Sequence, residues 1–207
     1  MPGYSIELDL SGRTALVVGL GAVGRWKATG LLAAGARVVG VDPSPGDEVP
    51  PGVDVRAEPY RADHLDGAAL AFAAASPEVN ARVVADAKAA GVWVNSASDP
   101  AAGDFAVPAV WRDGGLTVAV STSGASPALA KALRDRAAAA LGPGAAGLAS
   151  AFSELRAWVF ARLADPKARR RVLADWGDPR WLDLFERGGH DAVRDELTRR
   201  VAVELGR

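Results

Sequence analysis

The 207-residue chain contains no cysteine, which excludes disulfides, thiolate nucleophiles and cysteine-ligated metal or iron–sulfur sites. A reducing compartment suits such a chain, and a cytoplasmic protein is the expectation. Histidine is almost as scarce: only His64 and His190 occur, in a crossover and a late loop, and neither has neighbouring ligands that would make it a metal ligand. The identity and site of any metal stay unknown at this level. Long apolar runs are also missing, since nothing approaches the ~18 uninterrupted residues of a membrane span. The stretch from Met1 to Leu10 has no basic region followed by an apolar core, so no secretory signal is expected. Finally, there is no excess of either charge. A formal net charge of −1 gives no global field to recruit nucleic acid or an anionic membrane, and neither is expected as a partner.

The most informative stretch that is present is Gly19-Leu20-Gly21-Ala22-Val23-Gly24, preceded by the apolar run Thr14 to Val18 and followed by a helix-like segment that stops at Gly35. Glycines at this spacing serve a strand that turns into a helix over a pyrophosphate. Gly19 permits the tight turn, Gly21 lets the backbone approach the phosphates, and Gly24 lets the helix pack closely on the sheet. A second strand, Ala36 to Val41, ends at Asp42, where a carboxylate can accept hydrogen bonds from an adenosine ribose and would repel a 2'-phosphate. The cofactor expected is NAD, with Ala22 and Val23 at the pyrophosphate and Asp42, Pro43 and Ser44 near the adenosine.

Further strands are expected at Val53 to Ala57, Ala69 to Ala75 and Val92 to Asn95, with a helix from Ser76-Pro77 to Gly91. This alternation implies an α/β fold built on a Rossmann-like, doubly wound parallel sheet. The pattern then changes. Phe105 to Trp111 and Leu116 to Ser121 read as a hairpin joined by Arg112-Asp113-Gly114-Gly115, followed by the loop Ser121-Thr122-Ser123-Gly124-Ala125-Ser126-Pro127 and a helix to Leu141. Beyond Ala145 the spacing is helical throughout, and breaks at Asp165-Pro166, Gly177-Asp178-Pro179 and Gly188-Gly189 predict several short helices. Trp158, Trp176 and Trp181 lie there near Arg169-Arg170-Arg171, with acidic residues interleaved, which reads as a solvated bundle with aromatic core anchors. Lys27, on the first helix, reads as a surface lysine seeking a partner.

The order of these pieces resembles the precorrin-2 dehydrogenase family of siroheme synthesis, including the dehydrogenase and ferrochelatase module fused into siroheme synthase. The likeness is carried by Leu8-Asp9-Leu10-Ser11-Gly12-Arg13, Gly19 to Lys27, Ala74-Ala75-Ser76 to Asn80, Val94-Asn95 with Asp99-Pro100, Phe105, Pro108, and the string Val118 to Ala130. It implies a homodimer with an NAD-binding Rossmann domain over residues 1–112, a small dimerisation segment over 113–146 and a helical carboxy-terminal domain over 147–207. It also implies NAD-dependent oxidation of the tetrapyrrole precorrin-2 to sirohydrochlorin. Some relatives insert ferrous iron as well.

In the fused enzymes an aspartate shortly after the Val-Asn strand end serves both reactions. Here Ser98 stands at the usual position and Asp99 one place later, so the resemblance implies Asp99 as the catalytic carboxylate, with Asp104 in the same loop as the second candidate. A turn-forming role before Pro100 is the plainer reading of Asp99. The substrate carries eight carboxylates, for which Thr122, Ser123, Lys131 and Arg134 are the candidate binders, with Arg112 and Arg136 nearby in sequence. Helix capping and a solvated helix face are the plainer readings of these residues.

Overall fold

The computed structural model describes residues 3–206; Met1, Pro2 and Arg207 lie outside it. Two compact units divide the chain, one running to Val107 and the other starting at Pro108.

In the first unit five strands form one parallel sheet: β1 (Thr14–Val18), β2 (Arg37–Val41), β3 (Val53–Arg56), β4 (Ala68–Ala73) and β5 (Trp93–Ser96), in the order β3-β2-β1-β4-β5. The order reverses between β1 and β4, which is where open α/β sheets bind ligands. Helices α1 (Ala22–Ala33) and α2 (Pro77–Ala90) supply the crossovers. Alternate residues of β1 face opposite sides of the sheet. Ala15 and Val17 pack with Ala28 and Leu31 of α1, while Leu16 and Val18 pack with Val83, Val84 and Ala87 of α2. Both faces are therefore covered, as the apolar runs require.

The second unit opens with the antiparallel hairpin β6 (Ala109–Asp113) and β7 (Leu116–Val120). Gly114, with φ +50°, takes the first of the two turn positions, where a II′ turn places glycine. The first hairpin strand thus starts later than expected, because Phe105 belongs to the first unit, where it packs edge-on against Phe72 at 5.4 Å. Helix α3 (Pro127–Leu141) follows, capped by the Ser126 hydroxyl. Ala130 is the single buried residue across β6, β7 and α3.

Three helices complete the unit: α4 (Ala145–Arg162), α5 (Pro166–Ala174) and α6 (Arg180–Glu204). Leu155, Val159, Val172, Trp181, Val193 and Leu197 form their core. The three breaks fall where they were expected, at Asp165-Pro166, Gly177-Asp178-Pro179 and Gly188-Gly189, while α4 runs 18 residues without interruption and is longer than the short helices predicted. Gly188-Gly189 produces a kink within α6, with Gly189 at φ 62°, ψ −155°, a conformation essentially reserved for glycine. Trp181 is fully buried and donates its indole N–H to the Asp175 carbonyl, and Trp176 stacks on Phe152 at 4.2 Å. The tryptophans thus anchor a core, and Arg171 pairs with Glu204. No described helix is long and apolar enough to cross a membrane.

Candidate functional site

The loop between β1 and α1 is shaped by its glycines. Gly19 has φ +91°, and a Cβ built there would lie 2.5 Å from the Ala74 carbonyl oxygen, so the ends of β1 and β4 approach as only glycine allows. A Cβ on Gly24 would lie 1.8 Å from the Gly19 oxygen, so α1 packs directly onto its own loop. Gly21 is different: nothing of the protein lies within 4 Å of a Cβ built on it. Gly21 is also the N-cap of α1 and offers no side-chain cap, as is true of α4 and α6, whereas α2, α3 and α5 are capped by Ser76, Ser126 and Asp165. The first amides of α1 are left for a ligand, at the positive end of the helix and beside the strand-order reversal. This fits a pyrophosphate.

Asp42 follows β2 directly. The Leu20 N–H donates to its Oδ2 at 2.7 Å, and the Ser44 N–H donates to its Oδ1 at 2.9 Å. The carboxylate is thereby fixed beside the glycine loop, with lone pairs left for a ribose hydroxyl. Arg25 reaches the same place from α1. Its Nη1 donates to the Leu20 carbonyl at 3.3 Å, and its Nη2 pairs with Glu48 Oε2 at 2.7 Å.

Past β4 and β5, the buried side chain of Asn80 ties two loops together. The Ala75 N–H donates to Asn80 Oδ1 at 2.8 Å, and Asn80 Nδ2 donates to the Ala75 carbonyl at 3.2 Å and to Ser98 Oγ at 3.0 Å. Ser98, which stands where the resembled family usually carries its aspartate, is thus part of the scaffold. Asp99 beside it is exposed. Its Oδ1 accepts the Ala101 N–H at 3.1 Å, a turn-forming bond that leaves Oδ2 without a protein partner among the described residues. Asp104 lies on the free edge of β5, where it accepts the Val94 N–H at 2.9 Å through Oδ2 while its own N–H donates to the Val94 carbonyl at 2.7 Å. Asp104 therefore completes the sheet edge.

Lys27 is not the surface lysine that the sequence suggested. It is half-buried, its ammonium lies 5.2 Å from the Phe72 ring centroid, and burial holds its pKa below the ordinary value.

In the second unit, the loop before α3 is closed by its own side chains. Thr122 Oγ1 donates to the Ser126 carbonyl and accepts the Ser126 N–H, both at 3.1 Å. Ser123 is the one described non-glycine residue with positive φ, at 51°, and it is exposed. Arg134 pins α3 to β6 through the Val110 carbonyl at 3.2 Å and pairs with Asp135. Lys131 is exposed and makes no described ion pair. Among the described residues no three His, Asp or Glu side chains gather as a metal site.

Sequence reasoning passed over Arg25, Glu48 and the linking role of Asn80. Asn80 could have been found as an amide four residues after a Ser-Pro cap on a helix face that is otherwise apolar.

Two family models match the chain: "Putative NAD(P)-binding" over residues 6–109 and "Sirohaem biosynthesis protein central" over residues 113–138. Siroheme synthase from Chromobacterium violaceum is 36% identical over 213 residues, covering 98% of this chain and 44% of that protein. The siroheme synthase of Tolumonas auensis is 35% identical over 200 residues, covering 94% of this chain and 43% of the relative. The chain therefore spans less than half the length of these relatives. Among solved structures, "SirC, precorrin-2 dehydrogenase" superposes with a TM-score of 0.74 at 23% identity, covering 95% of this chain and all of the other. That likeness shows a shared fold.

Proposed function

Because the chain belongs to the putative NAD(P)-binding family and carries the sirohaem-biosynthesis segment directly behind that domain, we propose that it is an NAD-dependent precorrin-2 dehydrogenase forming sirohydrochlorin. The observation that carries this reading is the uncapped start of α1 beside the β1–β4 reversal, in a chain that resembles siroheme synthases over nearly all its length. NAD, when bound, supplies the hydride acceptor. Gly19, Gly21, Ala22, Val23 and Gly24 hold the pyrophosphate, and Asp42, Pro43 and Ser44 hold the adenosine ribose.

Asp99 is proposed as the group that receives the departing proton, through the oxygen left free by its turn. Asp104 is the weaker candidate, since one of its oxygens already satisfies β5. Ser123 and Lys131 are proposed to hold substrate carboxylates. Thr122 and Arg134 shape the loop and helix that present them, with Arg134 adding positive charge.

A homodimer in the cytoplasm completes the reading. Leu129 and Leu133 of α3 are 50% and 42% exposed, and the hairpin and α3 bury only Ala130, so a second copy of the segment over residues 113–146 is the partner that would cover them. Residues 1–112 and 147–207 are assigned to cofactor binding and to the helical domain. Mixing precorrin-2, NAD and the protein anaerobically should produce the absorbance of sirohydrochlorin, and the absence of any NAD-dependent change would overturn the proposal. Adding ferrous iron to the same cuvette tests for sirohydrochlorin ferrochelatase activity.

A further inference from the structure

Dinucleotide-binding folds divide by the group that stands just past the second strand: a carboxylate there suits the 2'-hydroxyl of NAD, and a nearby arginine suits the 2'-phosphate of NADP. This site holds both groups. Asp42 and Arg25 grip the N–H and the carbonyl of the same residue, Leu20, at 2.7 and 3.3 Å. A guanidinium fixed to the same loop residue as Asp42 is a ready phosphate ligand, because its planar fork matches two phosphate oxygens.

Glu48 engages the arginine. It comes from the loop between β2 and β3, and its carboxylate takes Arg25 Nη2 at 2.7 Å. The backbone of that loop runs alongside the guanidinium as well, since a Cβ built on Gly46 would lie 3.7 Å from Nη1. Both outer nitrogens of Arg25 are thus engaged, one by a carbonyl and one by a carboxylate. Two carboxylates against one guanidinium leave the pocket with local negative charge, which repels a dianionic 2'-phosphate and tolerates a neutral hydroxyl.

We propose that Glu48 is a specificity-determining residue of the cofactor site, one that occupies Arg25 and with Asp42 selects NAD over NADP. This inference rests on the NAD-binding reading above and assigns its selectivity to a named pair. Glu48 is largely exposed while Arg25 is mostly covered, so removal of Glu48 should free the arginine without disturbing the packing beneath it.

The test is calorimetric titration of the full chain with NAD and with NADP, for the wild type, Glu48→Gln, Arg25→Gln and the double variant. In Glu48→Gln the NADP Kd should fall by about threefold to tenfold, the scale of one exposed charge contact, while the NAD Kd moves by less than about twofold. The gain should vanish in the double variant and shrink as salt is raised. An unchanged NADP-to-NAD ratio in Glu48→Gln, with NAD still bound, overturns the proposal alone, as does a gain that survives without Arg25. Wild-type protein that binds neither nucleotide overturns the cofactor reading and this proposal together.

Discussion

An alanine at Gly21 would meet nothing of the protein within 4 Å, whereas one at Gly24 would sit 1.8 Å from a backbone oxygen. The two substitutions should therefore separate binding from folding. Gly21→Ala is expected to keep its melting temperature and lose NAD affinity in titration. Gly24→Ala should cost roughly 1–3 kcal/mol of stability, the range for overpacking, measured by denaturant unfolding. The two loop carboxylates invite the same kind of contrast. Asp99→Ala should reduce kcat by at least about a hundredfold, in the range of a lost general acid–base group, with NAD affinity unchanged. Asp104→Ala strands the Val94 N–H and should lower stability by about 1–3 kcal/mol with a smaller effect on kcat.

The glycines and Asp42 were legible in sequence because spacing and chemistry coincide there. Lys27 and Asn80 were not, since whether a side chain is half-buried or bridges two loops depends on strands distant in sequence, here β4 and the Ser98 turn.

Among the elements, the three helices that begin with proline announced their starts, and Ser76, Ser126 and Asp165 cap them as the sequence suggested for the first two. The boundary of β6 was harder to read. Phe105 and Val107 have strand character, but the apolar cluster under α1 and the edge of β5 claim this stretch first. The Gly188-Gly189 pair was read as a break because glycine weakens helices, and Gly189 does leave helical geometry there, while Trp181 on one side and Val193 and Leu197 on the other pack both halves into one core.

Asp175 joins α5 to α6. Burial pushes its carboxyl up, but hydrogen bonds from Arg180 and Trp181 and the charge of Arg200 outweigh burial and hold it below its ordinary 3.8. A group depressed in the folded state contributes stability above its unfolded pKa and loses that contribution as pH falls through the folded one. The helical unit should accordingly weaken below about pH 4. Asp175→Asn should flatten that acid limb in pH-dependent melts while costing about 1 kcal/mol at neutral pH, the scale of a partly exposed charged contact.

For the whole molecule, the parallel, doubly wound character of the sheet followed from the alternation of strand and helix, while the order β3-β2-β1-β4-β5 is read from the structure. Association could be inferred only from resemblance, and the exposed leucines of α3 now support it. Leu133→Asp should convert the proposed dimer to a monomer in analytical ultracentrifugation, since a charge at an apolar contact between the two copies would be unpaired.

In the proposed dimer, a hairpin and helix that bury one residue of their own are completed by the second copy, so their ordering obeys mass action. The Ser121 to Pro127 loop is strung between the two parts of that segment, β7 and α3. Dilution of the proposed dimer below its Kd should therefore disorder the proposed substrate contacts while leaving the Gly19 to Asp42 framework intact. Turnover per subunit plotted against enzyme concentration should curve downwards at the dilute end, and nucleotide affinity over the same range should stay flat.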